Sequence, residues 1–153
     1  MAQDKYLKVV LGDLLEADET YLFHQCNCVS TKPWGLAKTM FDRYPEANTY
    51  NQDDRNPGFV EFVEVDHGRK IINAYCQYYP GKPRYETDTS ALRLSWFLKC
   101  LKTVRSAGIR SLAMPYNIGC GLAGGDWDQY FLAITNFARR YQIYITLYKL
   151  CNI

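Results

Sequence analysis

Residues 116–125 read Tyr-Asn-Ile-Gly-Cys-Gly-Leu-Ala-Gly-Gly, and no other stretch of this 153-residue chain so narrows what it can fold into. A short apolar run, 111–114, comes before it and an amphipathic helical pattern, 126–140, comes after, so the glycines join a strand to a helix. Glycine lets the backbone approach a ligand and turn its N–H groups inward. The helix that follows offers free amides and partial positive charge to an anion. Gly119, Gly121 and Gly124 match the dinucleotide spacing G-x-G-x-x-G, but that fingerprint needs a βαβ unit and an acidic residue about 20 positions on. Here the chain is nearly finished, so a phosphate-binding loop is favoured over that fingerprint and over a merely structural turn.

The rest of the chain alternates strands with helices. Residues 5–11 and 21–28 read as strands, 35–44 as a helix stopped by Pro45, and 59–65 with 70–76 as a hairpin around Asp66, His67, Gly68 and Arg69. Residues 78–87 form a proline-interrupted loop. From 88 to 107, Leu94, Phe97, Leu98, Leu101 and Val104 share one helical face ending at Gly108, and from 126 to 140 Trp127, Tyr130, Phe131, Ile134, Phe137 and Ala138 share another. Residues 143–149 close as a strand. This order predicts an α/β fold, a mixed sheet covered on both faces with ligand loops at strand ends. No repeat or linker divides it, so residues 1–153 are read as one domain, and 48% hydrophobic content suffices for its core.

Charge excludes less than pattern does. The 18 basic and 16 acidic side chains leave +2 with no block of one sign, which points to neither nucleic acid nor membrane. With no signal-peptide pattern and no long apolar span, the expectation is a soluble intracellular monomer, cytoplasmic or nuclear. The six cysteines show no secreted framework and read as reduced thiols. His24, Cys26 and Cys28 would share one strand face, yet they lack zinc spacing and a fourth ligand, so no metal and no cofactor are expected.

Other residues qualify as chemical groups. The turn at 29–34 followed by Gly35, Leu36 and Ala37 is a second candidate phosphate loop, although such helix entries are common. Asp13, after the first strand, suits either an exocyclic amine or a turn. His24 is the nearby side chain with an ordinary pKa near neutrality, and stands as either an acid–base group or a satisfied core residue. Asp126 is a water-orienting group or, more readily, a helix N-cap. Tyr78, Tyr79 and Tyr85 with Lys82 and Arg84 suit single-stranded nucleic acid or a self-packed loop, the latter slightly preferred.

Taken in order and spacing, Gly12-Asp13-Leu14, the string His24 to Cys28 (HQCNC), Gly35-Leu36-Ala37, Arg43-Tyr44-Pro45, Met114-Pro115, Ile118 to Gly121 and Tyr148-Lys149-Leu150 resemble macrodomains over nearly the whole chain. The nearest resemblance is to the branch of ADP-ribose-1''-phosphate phosphatases and terminal ADP-ribose glycohydrolases. It implies a three-layer α/β/α sandwich with a mixed, mostly parallel sheet. It also implies that Asp13 and Leu14 address adenine with Leu150 nearby, and that Asn27 faces the distal ribose. One wall of the site would be Trp34, Gly35, Leu36 and Ala37. The other would be Pro115, Tyr116, Asn117, Ile118, Gly119, Cys120 and Gly121.

The function so implied is a hydrolase that removes the phosphate of ADP-ribose-1''-phosphate or processes ADP-ribosyl groups, with His24, Asn27 and Asp126 as its catalytic residues. The alternative is a non-catalytic reader of ADP-ribose or of ADP-ribosylated protein or nucleic acid. Two departures bear on this choice. Pro33 and Trp34 stand where related sequences have small residues, which would narrow the distal pocket. Cys76 or Gln77 and Ala123 stand where the glycohydrolases use a lysine and an aspartate, which argues against their covalent chemistry.

Overall fold

A computed structural model describes residues 4–150. Its sheet has six strands: β1 (Leu7–Leu11), β2 (Tyr21–Asn27), β3 (Val60–Glu64), β4 (Lys70–Gln77), β5 (Ser111–Pro115) and β6 (Tyr144–Lys149). They lie in the order β1-β6-β5-β2-β4-β3, every neighbouring pair parallel except β3 with β4. Three helices cover it: α1 (Gly35–Arg43), α2 (Ser90–Ser106) and α3 (Trp127–Tyr141). This is the expected three-layer α/β/α arrangement with a mixed, mostly parallel sheet.

The two faces have separate cores. Leu22, Cys26, Ile71, Tyr75 and Ala113 pack under α1 through Ala37, Met40 and Phe41. Phe23, Ile72, Ala74, Leu112 and Leu147 pack under α2 and α3 through Phe97, Leu101, Ile134 and Phe137. The central strands are buried on both sides, which is why they read as nearly continuous apolar runs. Period-two alternation sends even-numbered residues of β2 toward α1 and odd-numbered ones toward α2 and α3.

Local signals set the element ends. The Thr89 hydroxyl accepts the Leu92 amide at 3.1 Å and caps α2, and Gly108, at φ 79°, lies just past its end. The hairpin turn uses left-handed His67 and Gly68. One expectation is corrected: the buried stripe of α2 is Arg93, Phe97, Cys100, Leu101 and Val104, with Leu94 half-buried and Leu98 41% exposed. The helix is rotated so that a charged residue enters the interior, for a reason given below.

The topology places the site. From β2 the chain crosses to α1 on one face, and from β5 to α3 on the other. Between these adjacent strands the register records a single pair, Leu22 with Ala113, whereas β2 and β4 are registered along their length. A crevice forms at such a switch point, beyond the carboxyl ends of the strands.

Candidate functional site

A cleft of about 690 Å³ occupies that crevice. It draws residues from the ends of five strands: Asp13 and Leu14 after β1, Asn27 from β2, Gln77 from β4, Pro115 from β5, and Lys149 and Leu150 at the end of β6. The structure brings every expected ligand-binding residue to it, namely Asp13, Leu14, Asn27, Trp34, Gly35, Leu36, Ala37, Pro115, Tyr116, Asn117, Ile118, Gly119, Cys120, Gly121 and Leu150.

Free amides line the middle of the cleft. Helix α1 starts at an extended Trp34 that makes no side-chain cap, so the first-turn amides of Gly35, Leu36 and Ala37 have no intrahelical acceptor. Facing them, the 116–125 loop folds on itself, with the Cys120 amide donating to Asn117 O at 3.0 Å, Gly124 to Gly121 O at 3.1 Å and Gly125 to Gly119 O at 3.0 Å. Among the described residues, the amides of Gly121 and Leu122 meet no acceptor in the chain. Two glycines are required here. A Cβ on Gly125 would stand 2.6 Å from Gly119 O, and Gly35 has φ 59° with Leu122 Cδ1 3.2 Å from where its Cβ would be. The Leu122 side chain therefore reaches across to α1 and narrows the cleft at its middle.

The two ends differ. At one, the Asp13 carboxylate accepts the Leu15 amide at 2.9 Å through one oxygen, leaving the other oxygen open beside the Leu14 backbone. At the opposite end three side-chain amides converge. Asn27 turns its carbonyl oxygen onto the amides of Val29 (3.1 Å) and Ser30 (2.8 Å), so only its Nδ2 donor remains for a ligand. Gln25 Nε2 donates to Gln77 Oε1 at 2.6 Å, and Gln25 Oε1 is buried without a partner. Trp34 stands 71% exposed on the rim, so its indole borders the entrance and does not fill the floor.

Two expected catalytic residues are elsewhere. His24 is not among the residues lining the cleft; it is fully buried beneath α1 with its ring 5.4 Å from that of Phe41. Asn73 Nδ2 donates to Ala47 O, so its Oδ1 accepts the His24 Nε2–H, 2.6 Å away. The chain of polar groups continues through Thr49 and the Tyr75 hydroxyl to Glu61, along the underside of the sheet. Burial drives the His24 imidazole down to about 4 against the opposing pull of Asn73. It is neutral near pH 7 and does not line the cleft, so the geometry lends its expected acid–base role no support. Asp126, exposed, caps α3 by accepting the Asp128 amide at 3.0 Å and does not line the cleft.

The cleft's remaining titratable groups with shifted values are poor bases. Burial and then the Asp126 carboxylate push the Cys120 thiol up to about 11. Burial and the Glu19 carboxylate push the Tyr148 phenol up to about 12. Burial likewise pushes the Tyr50 phenol up, so all three are protonated at neutral pH, and the Tyr148 hydroxyl already donates its proton to Glu19 at 2.7 Å. Among the described residues, no group of three or more His, Cys, Asp or Glu is arranged to hold a metal ion, and no helix is long and apolar enough to cross a membrane.

Gln25, Gln77, Tyr50, Pro80, Gly81, Leu122 and Lys149 also line the cleft and were missed from sequence. Gln25 was within reach, since it shares a strand face with Asn27. The tyrosines of the 78–87 loop pack on one another, with ring centroids 4.8 Å apart for Tyr78 and Tyr79 and 4.5 Å for Tyr79 and Tyr85.

No family model and no curated protein matches the sequence. Solved structures do. A protein of unknown function from Bacteroides thetaiotaomicron superposes with TM-score 0.77 at 26% identity, covering 94% of this chain and 98% of that one. The macrodomain of Mycobacterium tuberculosis DarG gives TM-score 0.73 at 21% identity, covering 95% and 98%. Thermosipho africanus DarTG in complex with ADP-ribose gives 0.76 at 17%, covering 96% of this chain and 42% of that one. The chain has the macrodomain fold.

Proposed function

We propose that the cleft binds ADP-ribose and that the chain acts as a binding module for ADP-ribose, free or attached to a macromolecule. The observation that carries this is the pair of amide-bearing loops, the uncapped start of α1 and the 116–125 turn, facing each other across a channel narrowed by Leu122. Opposed N–H groups at a helix start suit a diphosphate without a cation. The ends suit what a diphosphate would join. The open Asp13 oxygen takes an exocyclic amine while the Leu14 backbone meets the ring beside it, and the Asn27, Gln25 and Gln77 amides take sugar hydroxyls. The bound ADP-ribose of the Thermosipho relative favours the same ligand.

Phosphate removal from ADP-ribose-1''-phosphate is the competing reading. It needs a group to activate water or protonate a leaving oxygen, and His24 lies outside the cleft while Cys120 and Tyr148 hold their protons. The binding reading is therefore the stronger. ADP-ribose at about 100 times its dissociation constant should stabilise the fold by about 2.7 kcal/mol, a melting shift of roughly 5–10 °C. No shift refutes the site. Phosphate release from ADP-ribose-1''-phosphate above the buffer rate refutes the claim that binding is all it does.

A further inference from the structure

Helix α2 carries Arg93 on its buried face, four residues before Phe97, and the side chain is 3% exposed. Its partner Asp88 is 1% exposed. Arg93 Nε donates to Asp88 Oδ1 at 2.8 Å and Nη2 to Oδ2 at 2.6 Å, a forked pair. The other donors go to backbone carbonyls: Nη1 to Gly81 O at 2.7 Å and Ala123 O at 3.3 Å, and Nη2 to Tyr79 O at 3.1 Å. All five guanidinium N–H groups are thus engaged. Asp88 in turn accepts the amides of Tyr79 at 2.9 Å and Tyr78 at 3.3 Å. Desolvation pushes its carboxyl up, but Arg93 and these two amides outweigh it and hold the carboxyl below its ordinary value.

Gly81 and Ala123 line the cleft from different loops, one after β4 and one after β5. Among the described residues, no hydrogen bond joins those loops except through this guanidinium. A second path reaches the same point from the cleft floor. Gln25 donates to Gln77, and Gln77 Nε2 donates at 2.9 Å to Tyr79 O, the carbonyl that Arg93 also binds. A buried ion pair is weak evidence of stabilisation, because well-packed apolar residues often do as well. What this one does specifically is fix three loop carbonyls and, through Tyr79, the orientation of both glutamine amides.

We propose that the Arg93–Asp88 pair is a positioning element that assembles the sugar end of the cleft and sets its preference for ADP-ribose over nucleotides lacking the second ribose. The proposal rests on the ADP-ribose reading above. Lysine cannot replace the arginine, since an ammonium has three donors and no planar fork. The pair gathers the carbonyls of Tyr79, Gly81 and Ala123 at the sugar end, and it leaves the Asp13 end untouched.

Calorimetry with ADP-ribose and ADP tests this on wild type, Arg93→Lys and Gln77→Leu. The second variant leaves the ion pair intact and removes both the link between floor and loop and one amide that itself lines the sugar end, so Arg93→Lys carries the test and Gln77→Leu reports whether that end is engaged at all. Wild type is expected to bind ADP-ribose more tightly than ADP. Arg93→Lys should weaken ADP-ribose by roughly tenfold or more and Gln77→Leu by roughly threefold to tenfold, the loss of one or two hydrogen bonds, with ADP changed by less than about twofold in each. Should Arg93→Lys not fold, Asp88→Asn, which breaks the charge pair from a residue outside the cleft lining, is measured in its place with the same expected outcome. Equal weakening of both ligands, or of neither, in a folded variant overturns the proposal, as does a wild type indifferent to the second ribose. A wild type that binds neither ligand overturns the ADP-ribose reading itself.

Discussion

Replacing His24 by glutamine separates a structural imidazole from a catalytic one. Glutamine keeps a donor for Asn73 Oδ1 and does not titrate. In the folded chain burial depresses the imidazole from an ordinary 6.5 to about 4. The native state therefore holds His24 neutral while the unfolded chain takes up a proton as pH falls through its ordinary value. Stability from this group is present above about pH 6.5 and lost progressively toward about pH 4. The loss at pH 5, relative to a group that never titrates, is about 2 kcal/mol. With a urea slope of about 2 kcal/mol per molar, that moves the unfolding midpoint by about 1 M.

Urea melts at pH 7 and pH 5 would therefore show wild type losing about 2 kcal/mol more than His24→Gln over the same interval. The carboxyls of Asp4 and Asp88, held low by their arginine and amide partners, are common to both proteins and cancel in the difference. Parallel losses in the two proteins refute the buried-neutral assignment. At pH 7 the variant should bind ADP-ribose as wild type does. A fall in phosphate release of about 10²-fold or more, with the fold retained, would return His24 to the chemistry.

Asp13→Ala should weaken ADP-ribose more than ribose 5-phosphate in competition calorimetry, because only the former carries the amine that the open carboxylate oxygen would accept; equal weakening removes Asp13 from that role. Gly35→Ala places a side chain at φ 59° against Leu122, a strain of about 1–2 kcal/mol, and should weaken ADP more than adenosine; unchanged ADP binding means the start of α1 does not hold phosphate. EDTA should leave ADP-ribose affinity unchanged in protein purified without added metal, and a loss restored by zinc would contradict an amide-held diphosphate.

What was legible in the sequence follows from which signals are local. The glycines at 119, 121, 124 and 125 announced a loop whose backbone must come close to something, and the structure puts that loop on the cleft wall. The end of α2 was marked by Gly108, while its Thr89 cap went unread one residue inside the expected start. By contrast α3 ends in left-handed Gln142, φ 56°, where no glycine advertises the turn. The Arg93 clasp was hidden for a different reason. Its partners are Asp88 and three carbonyls from two loops, and carbonyls leave no trace in a residue pattern. The one available signal was positional: a charge at the i−4 place of the stripe through Phe97, Cys100, Leu101 and Val104, which needs a buried partner because an unpaired charge there is so unfavourable.

His24 shows how residue type can override a geometric constraint already in hand. The alternation of β2 that groups His24 with Cys26 also sets it opposite Asn27, since residues an odd number apart point to opposite faces. Both side chains therefore cannot be aimed at one cleft from a regular strand. The structure resolves the conflict in favour of Asn27 and Gln25, on the face toward α2 and α3, and places His24 with Leu22 and Cys26 beneath α1. An imidazole pKa near neutrality belongs to the side chain in water. Inside the sheet, desolvation removes that property and with it the reason for suspecting catalysis. The cleft that remains presents donors along its middle, namely the backbone amides of its two loops, the Asn27 amide and the Cys120 thiol, with the open Asp13 oxygen at one end. Donors recognise the oxygens of a diphosphate and a sugar in their ground state, and it is this provision for holding that makes binding the activity to test first.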